Sequence, residues 1–328
     1  MSVFLPSLKK NGLLDRIHMT VCNVGSRKLG IQDDYASQGW QIFAPNLSIY
    51  GFDADADACD EANAEIETRQ INWEEIHIPL AIGKAIEERT LYVTKLPMCS
   101  SLYSPNELYL ARLALLPDLM NLDFSFEIDT TTLDQFCQQE GVNEIDFLQI
   151  DVQGADLDVL EGAIKMLNCG VLAIQVEVEF SHLYTNQPLF ADIDTFLRKY
   201  DFTLFDISRM SRRPRERSPI VSTRGGQLLW GDALYFRDLI FEDMDSHLKS
   251  PDRILKLACI ADIMSFPDYA LEVLEYLTLK YGEDSRYNFA NSIIESLAQF
   301  PDVVNQGLGN LPVVAKIRDY VTNLDLLV

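Results

Sequence analysis

The sequence predicts an α/β fold: a doubly wound, mainly parallel sheet of seven strands whose last pair is antiparallel, followed by a small C-terminal helical appendage. Two observations predict it. From Met19 onward, strand-like and helix-like segments alternate, the pattern of a parallel sheet covered on both faces. After about Asp245 strand signals stop, and only helical periodicity remains, as in Leu271, Leu274, Leu277 and Tyr281.

Taken in order, the main strands are expected over 19–24, 47–53, 76–82, 146–151, 171–180, 202–208 and 227–236, with shorter ones over 90–94 and 126–130. Helices are expected near 31–39, 56–68, 106–116, 132–139, 156–167 and 189–199. Only a short loop separates the last two main strands, so they should pair antiparallel, because a parallel pair needs a longer crossover. Helical patterns over 251–265, 267–281, 285–300 and 312–323 complete the chain. The expected division is 1–245 for the α/β domain and 246–328 for the helical extension, a separate domain or a homo-oligomerisation element.

Charge narrows the partners. Fifty acidic residues against 27 basic ones give a formal net charge of −23, and such a surface repels phosphate backbones and anionic lipid. Neither nucleic acid nor a membrane is expected as a partner. No apolar stretch approaches the roughly 20 residues that span a bilayer, and the N-terminus, interrupted by Pro6, Lys9 and Lys10, does not read as a signal peptide. The six cysteines (22, 59, 99, 137, 169 and 259) are scattered without a C-x-x-C pair. A cytoplasmic protein with no metal site is therefore expected.

The densest functional signal lies at 144–163. An apolar run, Phe147 to Ile150, ends at Asp151; Gly154 follows, and Leu157, Leu160 and Ile164 then fall on one helical face. Ligands of open α/β sheets sit outside the carboxyl ends of such strands, which places Asp151 for chemistry; capping of the next helix is the competing role.

Other strand ends add to it. Gly25 directly after the first strand permits close backbone approach to a ligand. The turn holds only Gly25 and Gly30, with Ser26, Arg27 and Lys28 in the middle, so it is not the G-x-G-x-x-G of a dinucleotide site. Asp53 ends the second strand, where one carboxylate can accept from both hydroxyls of a ribose. Asp55 and Asp57 read as helix cap and first-turn acid; as a calcium loop the run fails at Ala58 and Ala64. Ala81 and Ile82 are small and apolar enough to flank a flat ring, and Ser101 lies in a polar loop at the same edge.

Glu177 and Glu179 share one face of an otherwise apolar strand, costly to bury without a role in acid-base work or substrate binding. His182 follows just past that strand. Arg209, Arg212, Arg213, Arg215, Arg217 and Arg224 crowd into sixteen residues read as a loop between the last two main strands. Their guanidiniums could grip a phosphate or carboxylate of a substrate, or form a solvated loop.

Over roughly 19–240 the chain resembles an FkbM-type S-adenosylmethionine (SAM)-dependent methyltransferase. The likeness is strongest in Thr-Leu-Asp at 132–134, Ile-Asp-Phe-Leu-Gln-Ile-Asp-Val-Gln-Gly-Ala-Asp at 145–156 and Val-Glu-Val-Glu-Phe at 176–180, with support at 187–190 and 231–238. The chain departs from the family pattern at Asn23, usually Asp; at Gly25-Ser26-Arg27, usually Gly-Ala-Asn; at Gln149, usually Lys; and at Gln153, usually Glu. The resemblance implies a Rossmann-like class I methyltransferase sheet and O-methyl transfer from SAM to a hydroxyl, of a sugar or glycan. It implies cofactor contacts from Asn23, Gly25, Ser26, Asp53, Ala54, Ala81, Ile82, Ser101 and Asp151. The general base is expected among Asp151, Glu179 and His182, and acceptor contacts among Glu177, Arg212, Arg213 and Arg215. The alternatives are a catalytically weakened SAM-binding protein, a nicotinamide-dependent oxidoreductase, which the missing fingerprint disfavours, and a non-catalytic module assembling through the helical extension.

Overall fold

The computed structural model of the chain describes residues 2–27, 39–241 and 248–323; the helix expected near 31–39 falls almost wholly outside them. In chain order the elements are α1 (Leu5–Lys10), β1 (Met19–Val24), β2 (Leu47–Asp53), α2 (Ala56–Arg69), β3 (Glu74–Pro79), β4 (Ala81–Ile82), β5 (Glu87–Thr94), α3 (Glu107–Leu110) and α4 (Leu116–Met120). Then follow β6 (Leu122–Thr131), α5 (Leu133–Glu140), β7 (Phe147–Ile150), α6 (Asp156–Glu161), α7 (Ile164–Cys169), β8 (Ala173–Glu179), α8 (Phe190–Arg198), β9 (Phe202–Arg213) and β10 (Gln227–Arg237). Five helices end the chain: α9 (Pro251–Ile263), α10 (Pro267–Tyr281), α11 (Ala290–Leu297), α12 (Pro301–Asn305) and α13 (Pro312–Ile317). No helix among the described residues is long and apolar enough to cross a membrane.

Two compact units divide the chain. One comprises 20–29 and 49–237; the other comprises 1–19, 30–48 and 238–328. The helical unit thus begins at Asp238 rather than 246 and takes in two N-terminal segments.

The first unit is a Rossmann-like α/β fold. Its seven-stranded sheet runs in the order β3-β2-β1-β7-β8-β10-β9. β7 pairs parallel with β1 and with β8, whereas β10 runs antiparallel to both β8 and β9. The chain winds outward from β1 on one side and from β7 on the other. Between them lies the switch point, with Val24 and Ile150 as register partners, and ligands of open sheets bind there. The strands are apolar on both faces: Val21, Phe147 and Ala173 are buried on one, and on the other Cys22, Val24, Leu148, Ile150, Val176 and Val178 pack with Phe136 of α5 and Val159 and Leu160 of α6 in one core. Full burial of a side chain such as Leu160 contributes about 1.5–3 kcal/mol.

The single strand expected over 76–82 is two strands. Pro79 cannot donate to a ladder, Leu80 N turns back onto Ile78 O at 2.8 Å, and β4 then leaves for a second sheet of order β4-β6-β5. The helix expected over 106–116 is likewise broken, by a bridge from Leu113 to Arg215 and a left-handed Leu115 with φ 71°. The helix expected over 156–167 is interrupted at Gly162, where a Cβ would lie 2.1 Å from the Gly83 carbonyl oxygen. β9 continues to Arg213, so Arg209, Arg212 and Arg213 lie on a strand and not in a loop.

In the helical unit, α9 and α10 pack together, and Leu257 and Ile260 of the first and Leu274 and Leu277 of the second are buried. The helix expected over 285–300 is resolved into a 3-10 turn capped by Asp284, α11, and α12 starting at Pro301.

Candidate active site

At the switch point of the first unit lies a cavity of about 630 Å³, within the range of small-molecule sites. Backbone geometry builds its edge. Gly25, at φ +87°, and Ser26 both donate their N–H to Phe52 O at 2.8 Å, and a Cβ on Gly25 would lie 1.8 Å from Asp151 O. The ends of β1, β2 and β7 therefore meet with no room for a side chain at 25. Asp53 lines the cavity at the tip of β2; its Oδ1 accepts from Asp55 N at 2.8 Å, and burial holds its pKa above the ordinary value. Asp55 caps α2 through Asp57 N and Ala58 N and pairs with Arg27, which also lines the cavity. Phe52, Leu80, Ala81 and Ile82 supply an apolar surface beside Asp53.

The second sheet forms another wall. Leu91 lies opposite Phe126 and Val93 opposite Phe124, and all four line the cavity. The two phenyl rings stack at 6.1 Å between centroids and 22° between planes, and both remain about half exposed. Ser101, in the loop beside this wall, lines the cavity and accepts from Tyr103 N at 3.0 Å.

The floor is acidic. Asp151 and Gln153 line the cavity, and the Gln153 amide nitrogen donates to Asp151 Oδ1 and to Glu177 Oε2, both at 2.8 Å. Gln153 holds φ +57°, and the Tyr184 hydroxyl stands 3.1 Å from its Oε1. Below, Asp156 accepts from Val152 N and Gly154 N; burial first, then the Asp151 charge, push its pKa up to about 7. Burial and Asp151 push Glu177 well above the usual carboxylate range. Burial, Asp156 and Asp151 do the same to Glu179, against a weaker pull from Gln187. Asp232, register partner of Glu177 on β10, rises to about 6 through burial and Asp151, with Arg209 opposing.

Among the residues singled out in the sequence, Gly25, Asp53, Ala54, Ala81, Ile82, Ser101 and Asp151 come together around this cavity. Others do not reach it. Asn23 is buried in β1. Ser26 turns its hydroxyl to His77 Nδ1 at 3.0 Å, in a space that exists because Gly51 has no side chain: a Cβ there would lie 2.4 Å from His77 Nδ1. Glu179 is only 2% exposed, and its neighbour Glu177 touches the site through Gln153. His182 is exposed and is not one of the lining residues, with its carbonyl accepting from Asn106 Nδ2 at 3.0 Å. Arg213 and Arg215 line a different cavity of about 300 Å³, and Arg212 donates to Gly226 O. Sequence reasoning missed Arg27, Phe124, Phe126, Tyr184 and Asp232. Only the alternation Leu122, Phe124, Phe126, Ile128 signalled a shared face, and it reads equally as core.

Residues 42–204 match the model of the methyltransferase FkbM domain. The chain carries an FkbM methyltransferase domain. The matched range of this domain holds Asp53, Asp151 and the Glu177–Glu179 pair, while the Gly25 turn and Asp232 lie outside it. Among solved structures, 17 chains match. A magnesium protoporphyrin IX methyltransferase from Synechocystis with bound SAM aligns at 13% identity and a TM-score of 0.34, over 71% of this chain and 76% of that one. A SAM-dependent methyltransferase from Aquifex aeolicus aligns at 9% identity and 0.30, over 71% and 91%. A putative tRNA methyltransferase from Streptococcus pneumoniae, in complex with SAM, aligns at 10% and 0.29, over 94% and 96%. The comparison with curated proteins gives no match.

Proposed function

We propose that the protein is a SAM-dependent O-methyltransferase that acts on a hydroxyl of a sugar or glycan. The observation that carries this reading is the charge of the cavity. Among the described residues, Asp53, Asp55, Asp57, Asp123 and Asp151 line it against Arg27 and Lys95, and Arg27 is already paired with Asp55. Such a lining favours a cationic cofactor and opposes the pyrophosphate of a dinucleotide, each close charge pair counting for about 1–4 kcal/mol at the effective dielectric of a protein surface or water.

The residues present fit SAM. Asp53 is placed to accept from the ribose hydroxyls, the surface of Phe52, Leu80, Ala81 and Ile82 suits adenine, and Gly25 lets the backbone of β1 approach the amino-acid portion. When bound, SAM supplies an electrophilic methyl carbon on a positively charged sulfur. Asp151 orients the acceptor hydroxyl and takes its proton as general base; of the three base candidates it alone lines the cavity. Gln153 fixes that carboxylate through its amide nitrogen, so that the base would hold the acceptor oxygen in one place, and such positioning can contribute about 7–11 kcal/mol. The Phe124–Phe126 wall presents aromatic surface to the C–H face of a pyranose ring.

Calorimetry with SAM, S-adenosylhomocysteine and NAD, on the wild type and on Asp53→Ala, tests the cofactor. Binding of both sulfur nucleosides, weakened in the variant, is expected; NAD binding without SAM binding overturns the reading. Transfer of labelled methyl from SAM to a panel of glycans, with loss in Asp151→Asn, tests the reaction.

A further inference from the structure

Among the described residues the acidic chain has a region rich in arginines, several of which are held by groups other than carboxylates. Within the β9–β10 hairpin, residues 209–224 carry Arg209, Arg212, Arg213, Arg215, Arg217 and Arg224 with a single acid, Glu216. Arg209 stands 3.6 Å from Asp232. Arg212, Arg213 and Arg215 are held by neutral groups, Arg212 by Gly226 O. Arg213 Nη1 donates to Arg212 O at 2.9 Å and to Ser211 Oγ at 3.2 Å, and its guanidinium lies 5.1 Å from the centroid of the Trp230 ring. Its Nε is buried without a hydrogen-bond partner. Arg215 Nη2 donates to Gln227 Oε1 at 2.6 Å, and Gln227 is fixed in turn by Tyr109 and Ser181 at 2.6 and 2.8 Å.

These groups converge on the 300 Å³ cavity, which Arg213, Arg215, Ser218, Ser222 and Gln227 line together with Ile220 and Val221, and which no carboxylate lines. In a chain of net charge −23, ion pairing is the easy fate of an arginine. Guanidiniums held in place by carbonyl, amide and aromatic partners keep their full charge and a fixed direction, and planar donors in that state match the geometry of an oxyanion. The Ser222 hydroxyl in the same lining accepts from Gly226 N at 3.1 Å and keeps its own proton to donate, whereas the Ser218 hydroxyl donates to Ile220 O. Half-exposed Val221 and exposed Ile220 give the cavity an apolar side.

We infer that this hairpin cavity is an oxyanion subsite for the acceptor, taking a phosphate, sulfate or carboxylate group attached to a body with an apolar face. The assignment to the acceptor rests on the methyltransferase reading above. Geometry also sets a length. From Asp151 at the end of β7 to β9 the sheet is crossed in three steps, β7 to β8 to β10 to β9, or about 14 Å at the usual strand spacing. Gln227, the partner of Arg213, comes three residues before Trp230, the partner of Glu179, and because β10 runs antiparallel to β8 it lies beyond the carboxyl end of β8. The oxyanion and the methylated hydroxyl therefore belong to different parts of an extended molecule, longer than a monosaccharide.

The full-length protein is titrated with inorganic phosphate, with a phosphorylated oligosaccharide and with the same oligosaccharide lacking phosphate, by calorimetry. The phosphorylated oligosaccharide is expected to bind more tightly than either phosphate or its neutral counterpart. In Arg215→Gln, whose exposed side chain leaves the core untouched, that binding should weaken about tenfold, the loss of one charge-assisted hydrogen bond. Arg215→Lys should recover part of the affinity by restoring the charge without the fork. No phosphate binding at millimolar concentration, or binding unchanged in Arg215→Gln, overturns the subsite. Phosphate binding with no gain from the attached glycan overturns its assignment to the acceptor. SAM binding is measured in parallel: its absence, with the phosphate results intact, refutes the cofactor reading and leaves the oxyanion site standing.

Discussion

The Gln153 amide nitrogen stands 2.8 Å from the Asp151 carboxylate and 2.8 Å from the Glu177 carboxylate, so one side chain joins two acids at the end of adjacent strands. An amide can do this because its nitrogen carries two hydrogens. A carboxylate at 153 has none to give. Gln153→Glu should therefore lower the rate of methyl transfer at pH 8 by about tenfold or more, the loss of hydrogen bonds to charged groups. A third acid beside Asp151 and Glu177 also makes ionisation of the set harder, so the acidic limb of the pH–rate profile should move up by about one unit. A rate and profile identical to wild type would show that Gln153 does not hold the base.

The turn after β1 offers a paired test of backbone geometry. Gly25 and Gly141 both have positive φ, +87° and +70°, but a Cβ at 25 meets Asp151 O at 1.8 Å while one at 141 meets nothing within 4 Å. Gly141→Ala carries only the left-handed strain, about 1–2 kcal/mol. Gly25→Ala must in addition push β1 from β7, and is expected to lower the thermal midpoint further and to reduce SAM affinity by about a hundredfold or more. Denaturation and calorimetry on the two variants separate strain from displacement of the site.

Much of this fold is legible because buried strands write themselves as apolar runs with marked ends. β1 and β2 begin and end at the residues expected, and Asp53 and Asp151 stand at strand tips where position along the chain already implies position at the sheet edge. What is not legible depends on contacts between distant segments. Gln153 reads as a departure in a motif, and its role emerges only when β8 brings Glu177, 24 residues away, beside it. His182 follows β8 closely in sequence, yet its side chain stays outside the cavity, because being close to a strand end does not set direction. Arg209, Arg212 and Arg213 sit in polar, Pro-flanked sequence that reads as loop, but pairing with β10 extends β9 through them.

Asp232 and Glu177 face each other across the β10–β8 ladder, and like charges directly opposite are destabilising. Burial and Asp151 raise the Asp232 pKa from 3.8 to about 6. A carboxyl raised in the folded state favours folding while it stays protonated, so this contribution is complete below about pH 4 and is lost as pH rises through about 6. The thermal midpoint should fall across that interval. Asp232→Asn, which cannot ionise, should flatten the decline and be the more stable form at pH 7, by on the order of 2 kcal/mol. Melting curves of the two proteins at pH 4, 5, 6 and 7 decide it; parallel curves would assign the pH dependence to other groups.

In the helical unit, one carboxylate organises the start of the chain. Asp262, 2% exposed, accepts from Val3 N at 2.8 Å through Oδ1, and from Phe4 N and Leu5 N at 2.8 and 3.0 Å through Oδ2. The first N–H groups of a helix have no intrahelical partner, and α1 begins at Leu5 with no side-chain cap of its own. Asp262, on α9, is the acceptor they lack, and its negative charge also suits the positive end of the helix. Asp262→Ala leaves buried N–H groups unsatisfied at about 1–3 kcal/mol each before relaxation, so a loss of about 3 kcal/mol in unfolding free energy is expected. Asp262→Asn keeps an acceptor oxygen but replaces the other with a donor facing backbone N–H groups, and should fall between. Because α1 then releases first, amide hydrogen exchange at residues 3–8 should rise in both variants before any change at β7. If protection at 3–8 is unchanged in Asp262→Ala, the N-terminal helix is held by apolar contacts, and the carboxylate is incidental to it.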